Sequence, residues 1–418
     1  MTGMTLRSRR LNFTAVLQAA DYGPVIRCLI IEAPEREDRK WLEQYRFPGP
    51  VYARFPSTKD GVEDPMGRYY AVFPVNGPDI EWTMAYTYNF EKARNEERRV
   101  RLPGLTCKKR ICPELDAFIR RKPYQKNGVT LRYMDYLPDA YRYDRKGVRS
   151  TRKGTLPLII WLHGLGEGGT DPTLPLLGNR VTAMSQPVIQ QYFPERGAAV
   201  LVPQCPTMWL DPDGSCDWSK YRMEDTDGSS FYSEALEGLI RQYLHSHPEI
   251  DRDRIYIGGC SNGGFMTLEM LLRMPDFFAG AYPVCPAYYT GWMTEERIRR
   301  LARVPMWITA AATDPTLPLV NPDGSPAHAD ALYEKLTAIP KEERAPIVYS
   351  RIPMVLGFTS EGAPYEYMGH FSWIPVLMDQ IKKEFNGEEI HQFEWLAAQN
   401  RALTRRGCRV WSGTFKKS

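Results

Sequence analysis

The segment that most constrains the fold is Ile255–Met270, which reads IYIGGCSNGGFMTLEM. A short apolar run meets two glycines, a cysteine and a serine, and then two more glycines before an apolar stretch with helical spacing. Glycines two residues before and after a central residue allow a buried strand to turn sharply into a helix without Cβ collisions. The stretch therefore predicts a strand–turn–helix unit with Ser261 at its apex.

Two neighbouring side chains at this turn carry nucleophilic atoms, Cys260 and Ser261. The glycine pattern centres on Ser261, so the side chain of Cys260 is predicted to point into the packing around the strand as a structural thiol. A serine hydroxyl is a poor nucleophile until a base takes its proton, and the base needs an acid to orient it. We therefore expect a histidine and a carboxylate elsewhere in the chain.

The predicted base is His370, in a loop that follows the last predicted strand and precedes a helix, where an α/β-hydrolase carries its histidine. His163 ends a strand in WLHGLG, where the backbone is expected to contribute. The remaining four histidines lie at a helix end, in a loop or in a charged segment and need no catalytic role: His245, His247, His328 and His391.

The predicted acid is Asp314, which follows the apolar run 306–312. It would emerge at the carboxyl end of a buried strand, where ligand sites of parallel sheets lie. Asp323 and Asp330 remain alternatives. The chain order serine, aspartate, histidine is that of the α/β-hydrolases.

Acyl transfer also needs N–H donors for an oxyanion. Asn262, directly after the serine, and Leu165, in a glycine loop after the first long strand, are the predicted donors. That loop matches the dinucleotide pattern GxGxxG at 164–169, but prolines at 172 and 175 interrupt the helix that the pattern must open. The sequence therefore predicts no cofactor and no metal.

Strand-like and helix-like runs alternate from residue 156 onward, which predicts a mostly parallel sheet with helices on both faces. Predicted strands are 129–136, 158–162, 198–202, 254–257, 279–284, 305–310 and 347–352, and predicted helices are 232–244, 262–272 and 329–336. The first 120 residues instead contain β-rich runs at 25–31, 69–75 and 81–88, which suit a small antiparallel sandwich. We expect two domains, 1–120 and 121–418.

Composition excludes several classes of protein. A net charge of +4 in 418 residues, with only short basic clusters, argues against nucleic acid as a partner. The chain has no apolar stretch of membrane-spanning length and begins without the apolar core of a signal peptide, so a cytoplasmic location and no membrane partner are expected. Reduced cysteines are then the default, although Cys205 and Cys216 could pair in an exported protein.

Several motifs together resemble the α/β-hydrolase serine esterases related to polyhydroxybutyrate depolymerases and feruloyl esterases, including sequences described as predicted peptidases. They are LIIWLHGLGEGG, RIYIGGCSNGGFMTLEML, TDPTLP, GHFSW and FEWLAAQ, within residues 125–400. The resemblance implies an immunoglobulin-like domain in residues 1–120, as some members have. The long stretch between Asp314 and His370, and the continuation past FEWLAAQ, depart from the family pattern.

The long connection between Pro203 and Phe231 is rich in aromatic and acidic residues, as lids and binding loops often are. Aromatic side chains near predicted strand ends suggest a substrate pocket, with simple packing as the alternative. The candidates are Trp209, Trp218, Tyr288 and Trp373.

The leading hypothesis is a serine carboxylesterase acting on small-molecule esters with short-chain or aromatic (feruloyl-like) acyl groups. A prolyl-oligopeptidase-type peptidase would use the same triad but normally carries a propeller, for which the front segment is too short. A non-catalytic binding protein with the hydrolase fold as scaffold is the third hypothesis. The N-terminal domain is expected to shape access to the site or to mediate homo-oligomer assembly.

Overall fold

The computed structural model describes residues 10–89, 94–98, 100–141, 153–193, 197–217, 223–358 and 364–405. The chain divides into two compact units. Unit 1 comprises Met1–Asp116, Leu177–Arg180 and Phe358–Tyr365, and unit 2 comprises Ala117–Leu176, Val181–Gly357 and Glu366–Ser418.

Unit 1 is β-rich, as its sequence predicts. Its elements are β1 (Leu11–Ala20), β2 (Gly23–Glu32), α1 (Arg36–Gln44), β3 (Val51–Ser57), β4 (Tyr69–Pro74), β5 (Tyr86–Asn89), β6 (Arg94–Glu97) and β7 (Leu105–Ile111). The main sheet has the order β3-β4-β2-β1-β7, and β5 and β6 form a separate antiparallel ribbon. One expectation fails: β7 runs parallel to β1, because the long connection between them returns the chain in the same direction.

The core of unit 1 follows from the period of two in its strands. Along β1 the side chains of Phe13, Ala15, Leu17 and Ala19 are buried and alternate with half-buried neighbours. They belong to one apolar cluster with Ile26, Leu29 and Ile31 of β2 and Leu42 of α1. The likeness of this unit to an immunoglobulin domain stays a prediction.

Unit 2 is built on one large sheet. Its strands are β8 (Phe118–Arg120), β9 (Tyr124–Lys126), β10 (Val129–Tyr136), β11 (Leu156–Leu162), β12 (Ala199–Gln204), β13 (Ile250–Cys260), β14 (Gly280–Val284), β15 (Met306–Ala311) and β16 (Ile347–Ile352). The order is β16-β15-β14-β13-β11-β12-β10-β8, with β9 paired to β10. All neighbours from β12 to β16 run parallel, whereas β10 is antiparallel to both β12 and β8. The predicted mostly parallel sheet is confirmed.

Further elements of the chain cover or follow this sheet. The helices are α2 (Leu174–Leu177), α3 (Pro187–Gln190), α4 (Ser233–Ser246), α5 (Asn262–Arg273), α6 (Glu295–Leu301), α7 (His328–Ala338), α8 (Trp373–Leu377), α9 (Gln392–Ala397) and α10 (Arg401–Arg405). Four short strands complete the list: β17 (Val355–Phe358), β18 (Pro364–Tyr367), β19 (Lys382–Phe385) and β20 (Glu388–His391).

Helices lie on both faces of the sheet, as β15 shows. Met306, Ile308 and Ala310 join the apolar cluster that contains the buried side chains of α4, α5, α6 and α7. The intervening Trp307 packs edge to face against Trp395 of α9, with ring centroids 5.6 Å apart. Because successive strand residues point to opposite faces, the sheet is covered on both sides.

Among the residues that the structure describes, no helix has the length and apolar character needed to cross a bilayer.

Candidate active site

The turn between β13 and α5 is one residue long. Ser261 is that residue, and its backbone has φ 54° and ψ −112°, outside the regions that a non-glycine residue favours. Its N–H donates to the carbonyl of Val284 at 2.9 Å, and its own carbonyl accepts from the N–H of Phe265 at 3.0 Å. The strained backbone is therefore held by hydrogen bonds to β14 and to the first turn of α5.

Two of the glycines in the motif are required by close backbone approach. A Cβ on Gly259 would lie 2.3 Å from the carbonyl oxygen of Leu162, and a Cβ on Gly263 would lie 2.0 Å from the same oxygen. Both distances are far below a van der Waals contact, so neither position accepts a side chain without moving β11. The motif thus packs the serine turn directly against the end of β11.

The imidazole of His370 joins the predicted acid to the predicted nucleophile. Its Nε2 lies 3.0 Å from Ser261 Oγ, and its Nδ1 lies 2.8 Å from Asp314 Oδ2. Nδ1–H donates to the carboxylate, which leaves Nε2 as the acceptor for the serine hydroxyl. The three predicted side chains form one continuous hydrogen-bonded chain.

Asp314 is held in place by its own turn. Its Oδ1 accepts from the backbone N–H groups of Thr316 at 2.8 Å and Leu317 at 2.9 Å, and its side chain is fully buried. The two alternative acids are engaged elsewhere: Asp323 with Ser325, and Asp330 with Tyr349 and Arg351. The structure therefore brings Asp314, and neither alternative, to the histidine.

Two residues that support His370 were not identified from the sequence. A Cβ on Gly369 would lie 2.3 Å from the carbonyl carbon of Thr313, so this glycine lets the histidine loop lie against the aspartate turn. Cys285 donates its Sγ–H to the carbonyl oxygen of His370 at 3.3 Å, and burial raises the pKa of its thiol. Ligand atoms of Cys285, Asp314 and His370 lie within 4.8 Å of one another, but in this arrangement they are committed to hydrogen bonds within the site.

The predicted oxyanion donors follow two neighbouring strands of the sheet. β11 and β13 are parallel neighbours with Leu162 opposite Gly259, and three residues onward from each lie Leu165 and Asn262. Leu165 begins a 3₁₀ turn and Asn262 begins α5, and the first N–H groups of a helical turn have no partner within it. The side-chain Oδ1 of Asn262 accepts from the N–H of Trp209 at 2.6 Å, which ties the loop after β12 to the serine turn.

The predicted aromatic pocket fits the structure poorly. Trp209 and Tyr288 are fully buried: Trp209 packs on His163, Tyr288 on Phe265, and neither is accessible to a substrate in this conformation. Large aromatic side chains next to strand ends fill the core here instead of lining a cleft. Trp373 is also buried but contacts the site, with its ring edge-on to His370 at a centroid distance of 5.6 Å.

Trp218, the fourth predicted substrate-binding residue, lies outside the described residues.

Cys260 is fully buried, and burial raises the pKa of its thiol well above the ordinary value, so it is poorly suited to act as a nucleophile. Cys205 and Cys216, which could have paired, are both free thiols.

Comparison with known proteins supports the fold. Residues 144–338, just under half of the chain, match the phospholipase/carboxylesterase family. The crystal structure of a thermostable esterase superposes with a TM-score of 0.64 at 21% identity, over 93% of this chain and 99% of that one. This chain has the α/β-hydrolase fold. The match of its central segment and the serine–histidine–aspartate geometry support an ester hydrolase.

Two further similar proteins are more distant or match only a short segment of the chain. An oxidized polyvinyl alcohol hydrolase from Sphingopyxis sp. (strain 113P3) is 32% identical over 79 residues, which are 18% of this chain. The chain spans about a fifth of the length of that curated relative, since the match covers 21% of it. A poly(3-hydroxybutyrate) depolymerase from Bordetella parapertussis is 19% identical with a TM-score of 0.39, over 58% of this chain and 86% of that one.

Proposed function

We propose that this protein is a serine carboxylesterase that hydrolyses short-chain or aromatic (feruloyl-like) esters through an acyl-enzyme on Ser261. The observation that carries the proposal is the chain of two hydrogen bonds from Ser261 Oγ through the His370 imidazole to Asp314. The match to the phospholipase/carboxylesterase family supports the choice of an ester as the substrate.

In the first half of the reaction, Ser261 Oγ attacks the ester carbonyl carbon while its proton passes to His370 Nε2. Asp314 stabilises the imidazolium that forms and holds the ring in the tautomer with hydrogen on Nδ1. The N–H groups of Leu165 and Asn262 stabilise the oxyanion of the tetrahedral intermediate. The intermediate then expels the alcohol, which takes the proton from Nε2.

The second half repeats these steps with water. His370 Nε2 removes a proton from a water molecule, and the resulting hydroxide adds to the acyl carbonyl of the ester on Ser261. The tetrahedral intermediate collapses, Ser261 Oγ regains its proton from His370, and the carboxylic acid leaves.

The acyl group is the least constrained part of the proposal. Trp373 lies against the catalytic imidazole, which supports an aromatic surface near the reacting atoms. One similar protein is an esterase and another is an oxidized polyvinyl alcohol hydrolase. These names fit an ester hydrolase but do not select one size of substrate. Peptide hydrolysis stays the alternative, since the same three side chains would serve it.

The test combines covalent labelling with a substrate panel. Wild type should react with a fluorophosphonate on Ser261, hydrolyse p-nitrophenyl acetate, p-nitrophenyl butyrate or methyl ferulate, and leave a prolyl p-nitroanilide almost untouched. Ser261→Ala should abolish both labelling and turnover. Labelling without ester turnover but with rapid anilide cleavage would replace the esterase by a peptidase, and a folded wild type without labelling would favour the non-catalytic scaffold.

We propose that the N-terminal domain, residues 1–120, contributes to assembly or access rather than to chemistry. Its surface exposes several large apolar side chains within the described residues, including Tyr52, Val62 and Met66. Light scattering coupled to size exclusion should give more than one chain per particle, and Met66→Lys together with Val62→Lys should reduce that mass while fluorophosphonate labelling persists. A monomeric wild type would rule out assembly.

A further inference from the structure

Gly164, the residue before the predicted oxyanion donor Leu165, is held from both sides by buried side chains. The Nδ1 of His163 lies 2.6 Å from the carbonyl oxygen of Gly164, and Oε2 of Glu167 accepts the N–H of the same residue at 2.7 Å. Both polar groups of one residue are thus engaged by side chains from its own loop. These bonds fix the peptide that leads into the N–H of Leu165.

The His163 side chain and the Glu167 backbone are themselves anchored to the last residue of β12 and the residue after it. The Nε2 of His163 accepts the N–H of Cys205 at 3.0 Å, so Nδ1 carries the hydrogen that is donated to Gly164. The side-chain Nε2 of Gln204 donates to the backbone carbonyl of Glu167 at 2.9 Å. The oxyanion loop is therefore fastened to a second element of the sheet.

Burial shifts the pKa values of both of these side chains. His163 is fully buried, and burial lowers its pKa to about 4; Glu167 is 3% exposed, and burial raises its pKa to about 8. Both groups are therefore uncharged at neutral pH. Among the described residues, Oε1 of Glu167 has no hydrogen-bond partner.

We propose that Glu167 is a positioning residue for the oxyanion hole, whose carboxyl holds the Gly164 N–H and so sets the place of the Leu165 N–H that follows it. The proposal rests on the esterase function proposed above. A buried negative charge next to the loop would oppose the negative charge that develops on the substrate oxygen in the transition state. It would also strengthen the pull on the Gly164 N–H and displace the peptide that follows. Glu167 itself takes no part in bond making or breaking.

The titratable groups that surround this carboxyl do not change charge in the same pH range. Cys260 of β13 packs against Gly164 beside the carboxyl, and burial raises the pKa of its thiol well above the ordinary value. Burial does the same to the thiol of Cys205. His163 is already neutral above about pH 5, given its pKa of about 4. An alkaline transition near pH 8 in this loop therefore belongs to Glu167.

The experiment measures kcat and KM for p-nitrophenyl butyrate from about pH 6 to about pH 10 in wild type, Glu167→Gln, Glu167→Ala and the control Glu269→Gln. Glu269 is a second buried carboxyl with a raised pKa, but it lies on α5 and accepts from Ser233, away from the oxyanion loop. Wild type and the control should lose kcat above about pH 8. Glu167→Gln, which still accepts from Gly164 but cannot ionise, should keep kcat near neutral pH within about threefold and lose the alkaline decline.

Glu167→Ala should lower kcat by about 10-fold to 100-fold at neutral pH with little change in KM, because a misplaced oxyanion donor acts in the transition state. Circular dichroism checks that Glu167→Ala folds. If Glu167→Ala does not fold, the pH profiles of wild type and Glu167→Gln still test the proposal. An alkaline decline that persists unchanged in Glu167→Gln would overturn the proposal. A wild type that neither labels with a fluorophosphonate nor turns over esters would instead overturn the proposed function.

Discussion

The carboxylate of Asp314 bonds His370 Nδ1 at 2.8 Å through one oxygen and accepts two backbone N–H groups through the other. This double anchoring means that the carboxylate orients the imidazole while its own position is set by its turn. An amide in its place would present an NH₂ group either to the ring or to the backbone donors. The first outcome disturbs the tautomer that the proposed mechanism requires, and the second sets a donor against two backbone donors and displaces the side chain.

Asp314→Asn should therefore lower kcat on p-nitrophenyl butyrate by about 10⁴-fold at neutral pH, the size of loss seen when the aspartate of such a triad becomes an amide. KM should change much less. Asp323→Asn is the matched control, since Asp323 is exposed and bonds only within its own loop. A dead Asp323 variant beside an active Asp314 variant would reassign the acid.

Ser261→Ala and Cys260→Ala separate the two neighbouring nucleophilic side chains. Ser261→Ala should abolish fluorophosphonate labelling and ester turnover, because it removes the attacking oxygen 3.0 Å from His370 Nε2. Cys260→Ala should keep turnover within about tenfold and lower stability by about 1–2 kcal/mol, since it only empties space in the core. Inactivation by thiol reagents, with the label on Cys260, would contradict this assignment.

Gly263→Ala should unfold or strongly destabilise the protein and abolish labelling of any folded fraction. The added Cβ would lie 2.0 Å from the carbonyl oxygen of Leu162, so α5 and β11 would have to separate. Gly77→Ala is the control, because its Cβ would meet only Ile80 at an ordinary contact distance of 3.6 Å. Thermal unfolding followed by circular dichroism measures both; equal melting temperatures would show that the turn accommodates a methyl group.

Sequence patterns predicted the sheet of unit 2 because its central strands are continuous apolar runs, as β11 and β12 are. The short edge strands β8 and β9 carry no such signal, and their pairing with β10 depends on tertiary context. The parallel pairing of β7 with β1 could not be predicted from sequence patterns either, because strand direction is set by the connection between the strands.

In the candidate site too, some residues could be predicted from sequence patterns and others could not. Ser261, Asp314 and His370 follow the chain order of a known fold, so their positions could be predicted before their contacts were seen. The supporting roles of Cys285 and Gly369 arise from contacts between segments distant in the chain, which no local pattern encodes. Sequence patterns cannot distinguish the buried Trp209 from a pocket residue, because an aromatic side chain near a strand end gives the same pattern whether it fills a core or lines a cleft.

The buried His163 gives the stability of the fold a defined pH dependence. Its pKa is lowered from the ordinary 6.5 to about 4, so between these values the unfolded chain binds a proton that the folded chain does not. Stability must then rise with pH across this window and fall as the pH drops from about 6.5 to about 4. At pH 5 this one group should reduce the free energy of unfolding by about 2 kcal/mol relative to pH 7.

Denaturant unfolding of wild type and His163→Gln at pH 7 and pH 5 measures this contribution. The glutamine variant should be less stable than wild type at pH 7, because it cannot keep both the bond to Gly164 and the bond from Cys205 in the same geometry. Its further loss between pH 7 and pH 5 should be smaller than that of wild type by about 2 kcal/mol, since it has no imidazole to protonate on unfolding. His245→Gln is the control, as His245 is an exposed helix residue whose replacement should leave the wild-type pH dependence intact. Equal losses in wild type and His163→Gln would mean that His163 does not stay neutral in the folded chain.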